Sequence, residues 1–260
     1  MRRFHFGSAA EVETWLRSTV HAEYGIAVRT MDRLVISSYN FLAWLQTSDG
    51  PLIAKCCGWA PAHPKLLRLA ALLAWLEEEG LPVVAPLMAA SGVRQVLVDG
   101  RSLGMLRVVK GELLDVLQRA QARAAGTMLA RLHWALAAYP HAADLGAPTP
   151  PALAENIKAW VAQKGLTAAR GDVAAGSRDL LALLAEQTLP PLPVQLVHHD
   201  FRAANLIWDG EKIAAVLDFE ELRWGCRVED LAWAAVHLGT LFHNWGPVPQ
   251  AVHELFINAY

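Results

Sequence analysis

Charge is scarce in this sequence. Charged residues make up 18% of the chain, below the ~25% usual for soluble domains, and the formal net charge is only -2. No basic tail or stripe is present, so nothing draws the chain to a polyanion and nucleic acid is not an expected partner. Cysteine is scarce too. Cys56, Cys57 and Cys226 are the three present, and an odd count with an adjacent pair fits reduced thiols in a cytoplasm better than a disulfide framework. No second Cys/His pair stands at the spacing that zinc would need beside Cys56 and Cys57. Long apolar runs are missing. No window reaches the ~18 uninterrupted apolar residues of a membrane span. The opening MRRFHFGSAAEVETWL has arginines but no apolar stretch behind them, so it is not a signal peptide. Internal repeats and low-complexity tracts are also missing.

What is there is a hydrophobic chain. Apolar residues make up 54% of the 260, enough for one large domain or two modest lobes. The first third reads as sheet with one helix. LVISS, FLAWLQT and PLIAKCC are short β-like runs, and Ser48-Asp49-Gly50 turns between the last two. Pro64 to Glu79 reads as a helix, with proline suited to its first turn and Gly80 and Pro82 to stop it. Its leucines run nearly all round, so heavy burial is expected. RQVLVDG and RSLGMLRVV form another hairpin around Asp99-Gly100, and Lys110-Gly111 follows as a hinge. The pattern then turns helical. AQARAAGTMLARLHWALAA carries Leu129, Leu132 and Leu136 on one face. Further helices are expected around Leu153 to Gln163, Ser177 to Glu186, and from about Val228 to the end, with Pro190, Pro191 and Pro193 halting the run between. The expected fold class is α+β: a small antiparallel-sheet lobe over 1–109, a hinge near 106–111, and a larger, mainly helical lobe over 110–260.

The densest polar chemistry lies in LVHHDFRAANLIWDGEKIAAVLDFEE, Leu196 to Glu221. VQLV reads as a strand feeding a loop from His198 to Asn205. LIW and IAAVL read as a hairpin turning near Asp209-Gly210. Asn205 lies just before the outgoing strand and Asp218 just after the returning one. Pairing Trp208 near Ile213 brings both to one end of the hairpin, where a carboxylate and an amide oxygen can share a hard cation such as magnesium. Asp200, earlier in the loop, is free to orient or deprotonate an attacking hydroxyl. That division of labour suits phosphoryl transfer, which asks mainly for positioning and charge neutralisation.

His198-x-Asp200-x4-Asn205 followed by Leu217-Asp218-Phe219-Glu220 resembles the catalytic signature of the aminoglycoside phosphotransferase-like small-molecule kinases, which share the protein-kinase fold. The resemblance covers about Leu34 to Trp233. It implies a two-lobe kinase moving the γ-phosphoryl of ATP, with GTP the alternative donor, to a hydroxyl of a small molecule. It implies Asp200 as catalytic base, Asn205 and Asp218 as magnesium ligands, and Lys55 on the third strand as nucleotide contact. Ser38 and Asn40 fall in the loop over the phosphates. His198 and Asp230 are implied supports of the catalytic loop. Some positions depart from the family pattern. His199 replaces a usual glycine, and Leu69 stands where a helix glutamate normally pairs with the lysine. Glu77, Glu78 and Glu79 lie about two turns further on.

Plainer roles are expected elsewhere. His198 and His199, adjacent on an extended loop, point opposite ways and are not expected to share an ion. His237 and His243 read as surface or packing residues. Glu220, Glu221 and Glu229 read as a solvated rim. From Asp200 to Asp230, eight acids against four bases leave -4, which mildly favours a cationic acceptor such as an amino sugar or amino alcohol. No activation segment closed by Ala-Pro-Glu follows Asp218, which argues against a protein kinase. A nucleotide-binding relative that has lost catalysis is the alternative, motivated by Leu69.

Overall fold

The computed structural model describes residues 4–37, 39–148, 153–165, 171–186, 192–242 and 244–260. An N-terminal helix, α1 (Ala9–Tyr24), is not among the elements expected above, although Val12, Leu16 and Val20 recur at helical spacing. Its start is also written in Ser8-x-x-Glu11. Ser8 Oγ accepts from the Glu11 N–H at 3.2 Å, and the Glu11 carboxylate accepts from the Gly7 N–H at 2.8 Å. This reciprocal pair satisfies two donors that a helix start leaves open. Gly25, at φ 68, ends the helix by donating to His21.

Five antiparallel strands follow: β1 (Val28–Ile36), β2 (Asn40–Thr47), β3 (Gly50–Cys57), β4 (Val96–Val98) and β5 (Arg101–Arg107), in the order β1-β2-β3-β5-β4. Thr47 pairs with Gly50, so β2 and β3 are joined by the tight turn that Ser48-Asp49 signals. Asp99 (φ 51) and Gly100 (φ 72) make the second hairpin, both left-handed as a primed turn requires. Side chains alternate across a strand. Phe41, Ala43 and Leu45 of β2 and Leu52, Ala54 and Cys56 of β3 therefore pack with Phe4, Leu16 and Val20 in one core. Lys55, between Ala54 and Cys56, points to the opposite face.

α2 (His63–Glu78) is as buried as its leucines require, but its inner face serves the other core. Leu69, Leu72 and Leu76 pack with Leu129 and Leu132 of α3 (Arg119–Ala138) and with Phe201, Leu206 and Phe219. The helical part continues with α4 (Leu153–Trp160), a π-helical turn at Val161–Gly165, and α5 (Gly171–Glu186), which starts earlier than the expected Ser177. α6 (Arg227–His237) and α7 (Gln250–Ala259) are separate helices rather than one closing run. Short strands frame the site. β6 (Glu112–Leu113), β8 (Leu206–Trp208) and β9 (Ile213–Val216) form one sheet, and β7 (Val194–Val197) pairs with β10 (Arg223–Cys226). Gly111 allows β6 to lie against β8: at φ 138, an added Cβ would stand 2.4 Å from the Trp208 carbonyl. Among the described residues, no helix is long and apolar enough to cross a membrane.

Candidate active site

β7 delivers the chain into the loop His198–Asn205, and β8 and β9 return it to Asp218. Trp208 pairs with Ile213 and Leu206 with Val216, the register that the spacing requires. Asn205 and Asp218 therefore share one end of the hairpin, stitched by a 2.8 Å bond from the Leu217 N–H to the Asn205 carbonyl. Asp218 takes the left-handed conformation (φ 60, ψ 71), one that aspartate tolerates better than most residues.

Asn205 is only 6% exposed. Its amide nitrogen donates to the Asp200 carbonyl at 2.8 Å and to Asp200 Oδ2 at 2.7 Å. With the nitrogen so engaged, the amide oxygen is left for another partner. Asp200 Oδ1 lies 2.8 Å from Arg202 Nε as an ion pair off the hydrogen-bond axis, and Arg202 Nη2 donates to Asp200 Oδ2 at 3.3 Å. Arg202 is anchored in turn by donating to the Phe242 carbonyl at 2.7 Å.

The loop is held from below by Asp230, which is fully buried on α6. Its carboxylate accepts the backbone N–H groups of His198 (3.2 Å) and His199 (2.9 Å), and it meets His133 Nε2 of α3 at 2.9 Å. Burial works to raise the Asp230 pKa, but His133, His198 and the backbone donor together bring it below the ordinary carboxylate value. His198 is a second tie. Its Nδ1 accepts from the Asp200 N–H at 3.2 Å, which leaves Nε2 to donate to the Leu217 carbonyl at 3.1 Å. Both nitrogens are used by the neutral ring, and burial lowers its pKa in spite of three aspartates nearby.

Lys55 reaches across from β3. Its Nζ lies 2.9 Å from Asp218 Oδ1 and 2.6 Å from Glu220 Oε1. Burial would lower the lysine pKa, but the two carboxylates outweigh it and raise the value. Asp218 responds oppositely: burial raises its pKa, and Lys55 first, then His198 and Arg202, brings it below the usual range. Asn40, at the start of β2, donates from Nδ2 to Glu220 Oε2 at 2.8 Å. Glu220 is thus not a solvated rim residue but the meeting point of Lys55 and Asn40. Leu69 carries no compensating polar group; it is 3% exposed inside the core. Ser38 and His243 lie outside the described residues.

Sequence reasoning passed over two charged residues of this site. Arg202, two positions after Asp200, is the one base inside the loop and was legible as such. Glu220, two after Asp218, belongs to the Asp218-Phe219-Glu220 signature, but local sequence does not tell that its carboxylate meets Lys55. The structure also gives His199 a defined place. It sits at φ 62, where glycine is easier, and its ring stacks on Trp233 at 5.0 Å. Trp233 stacks in turn on His237 at 4.2 Å. His199 Nδ1 is buried without a hydrogen-bond partner. Two hard oxygen donors, the Asp218 carboxylate and the Asn205 amide, thus share one end of the hairpin, with Asp200, paired to a guanidinium, against Asn205 and the Lys55 ammonium against Asp218.

The sequence profile of the Phosphotransferase enzyme family matches residues 35–255. No curated protein matches the chain significantly. Solved structures match it over most of its length. The macrolide 2'-phosphotransferase MphH of Brachybacterium faecium is 19% identical with a TM-score of 0.68, covering 96% of this chain and 82% of its own. Amicoumacin kinase hAmiN, solved with AMP-PNP, is 14% identical with a TM-score of 0.65, covering 97% of this chain and 78% of its own. The microcompartment-associated aminopropanol kinase is 21% identical with a TM-score of 0.61, covering 86% and 74%. The chain accordingly belongs to the phosphotransferase enzyme family, as a small-molecule kinase on a protein-kinase-like α+β fold.

Proposed function

We propose that this protein transfers the γ-phosphoryl of ATP to a hydroxyl of a small molecule. The observation that carries the reading is the knot of Asp200, Asn205 and Asp218 facing Lys55. Asp200, held through Oδ2 by Asn205, orients the acceptor hydroxyl and takes its proton. Arg202, ion-paired with Asp200, stands ready to neutralise the transferring phosphoryl. Lys55 steadies the α- and β-phosphates, and Ser38 and Asn40 contribute to the cover over them. The donor set of one carboxylate and one amide oxygen fits magnesium, which prefers oxygen ligands. Asn205 and Asp218 would hold it, and the ion would supply charge neutralisation across the phosphate oxygens. Adenine nucleotides bound to relatives, AMP-PNP in the amicoumacin kinase and ADP in a spectinomycin phosphotransferase, favour ATP over GTP. In this reading residues 1–109 form the nucleotide lobe and 110–260 the acceptor lobe.

The acceptor is the less defined partner. The acidic surplus that favours a cationic one is largely spent inside the protein: Asp200 pairs with Arg202, Glu229 with Arg223, and Asp218 and Glu220 with Lys55. Glu221 has no such ion pair among the described residues, nor do Asp209 and Glu211, and Glu221 is the one of these three next to Glu220. Amino sugars and amino alcohols head the screen for that reason.

The test is Asp200→Asn with ADP release followed across that screen. We expect turnover to fall by about 10²- to 10⁴-fold, the range for losing a general base, with magnesium–ATP affinity kept. Lost nucleotide binding with turnover retained would reject the assignment. The catalytically impaired alternative rests on the missing acid of α2, and measurable transfer to any acceptor eliminates it.

A further inference from the structure

We infer that Glu220 is a positioning residue of this kinase: it holds Lys55 across the cleft, in place of an acid that α2 does not supply. This rests on the reading of Lys55 as the nucleotide lysine. α2 carries no acid in its first turn, and Leu69, where the resemblance puts the helix glutamate, is buried in the core. The acids at its far end are engaged elsewhere or distant; Glu77 lies 4.0 Å from Arg107. The Lys55 ammonium therefore finds its anionic partners on the opposite lobe.

Glu220 has two neighbours from the sheet and one from the helix. Oε1 meets Lys55 at 2.6 Å, Oε2 accepts from Asn40 at 2.8 Å, and the Glu220 carbonyl accepts from Lys65 Nζ at the start of α2. β2, β3 and α2 thus converge on a single residue of the segment that follows β9. The bidentate use of the carboxylate fixes its rotamer, because both oxygens are committed. Among the described residues Asn40 Oδ1 is buried with no partner of its own, and the amide is held there by the Glu220 carboxylate.

Asp218 also contacts Lys55, but it is the residue assigned to the metal. A divalent cation drawing on Asp218 weakens its hold on the lysine. Glu220 carries no other assignment and remains as the counter-charge. One consequence distinguishes this arrangement from a pair internal to the sheet lobe. Lys55 is positioned only while the two lobes are closed on each other, so nucleotide affinity and lobe closure are coupled through one side chain. Opening the cleft breaks the Lys55 and Asn40 contacts together.

Two measurements on the full chain test this, each made on wild type, Glu220→Gln, Glu220→Asp and Asp218→Ala. The first is the rate at which acetic anhydride acetylates Lys55 in the nucleotide-free protein, read by mass spectrometry with Lys158 and Lys212 as internal standards. Glu220→Gln loses the 2.6 Å ion pair that holds Lys55 Nζ against the opposite lobe, so the released side chain is expected to be acetylated several-fold faster, with the standards unchanged. The second is calorimetric binding of magnesium–AMP-PNP. Glu220→Gln is expected to weaken it about tenfold, the effect of losing one charged hydrogen bond. Glu220→Asp, which keeps the charge but is too short to reach Lys55 and Asn40 together, is expected to fall between. Thermal melts confirm that each variant is folded, and Glu220→Asp carries the test if Glu220→Gln is not. An unchanged Lys55 rate, or unchanged AMP-PNP affinity in Glu220→Gln while Asp218→Ala loses it, overturns the role of Glu220 and leaves the kinase reading standing. No binding by the wild type overturns the nucleotide reading, and this inference with it.

Discussion

His198 ties the loop after β7 to the end of β9 through a neutral ring, and that choice of protonation state has a pH consequence. Its pKa in the folded chain lies below 6.5, with burial the largest cause; burial also lowers those of His63 and His199. As pH falls below about 6.5 the unfolded chain takes up protons that the folded one refuses, so stability drops through the lowered folded values. The carboxylates act in a separate window. Asp218 and Asp230 have values depressed below 3.8, so their contribution is present at neutral pH and is lost only as pH falls through those lower values. Urea midpoints should therefore decline between pH 7 and 5.5, and His198→Gln should flatten that slope; an identical slope would assign it to other groups. The thiols behave in the opposite sense. Burial pushes Cys56 up to about 12 and raises Cys57 and Cys226 as well, and the thiolate is the reactive form. A disulfide reagent at pH 8 should label none of the three until denaturant is added.

At the scale of elements, α3 and α7 approach more closely than side chains allow. A Cβ added at Gly126 would lie 2.1 Å from the Phe256 carbonyl. In an isolated helix Gly→Ala gains up to about 1 kcal/mol. Here the overpacking cost, typically about 1–3 kcal/mol, is expected to win, so Gly126→Ala should lower the urea midpoint. A raised midpoint would mean that α7 can move away freely. The same helix pair matters to the site, because Tyr260, just past α7, bonds His133 Nδ1 at 2.7 Å and His133 meets Asp230. Elements also differed in how well they could be read. The leucines of α2 and the Asp99-Gly100 turn were legible because burial period and turn chemistry are local. α1 was legible in its capping pair and in Val12, Leu16 and Val20, which recur at helical spacing with charged residues between them.

For the whole molecule, a ligand that binds only the folded chain raises its stability by mass action. Magnesium–ATP at a hundredfold its dissociation constant should add about 2.7 kcal/mol, or a Tm rise of about 5–10 °C for a chain of this size. Chelating the magnesium, or the change Asp218→Ala, should abolish most of that rise; a full shift in either condition would place the nucleotide elsewhere.

The sequence by itself determined what is local. Scarce charge left no basic stripe to suggest nucleic acid, periodicity laid out sheet before helix, and the spacing from Asn205 to Asp218 put both at one end of a hairpin. Strand pairing and turn geometry act over a few residues, so those features are written where they occur. Only the tertiary structure decided who faces Lys55. Glu220 is far from it in sequence, and its place in the Asp218-Phe219-Glu220 signature does not name its partner. That contact exists because two hydrophobic cores close the sheet onto the helices and bring one carboxylate, not its neighbour, within 2.6 Å of the ammonium. The brace of Asp230 under His198 and the stacking of His199 on Trp233 have the same origin: they join segments that meet only once the chain is packed.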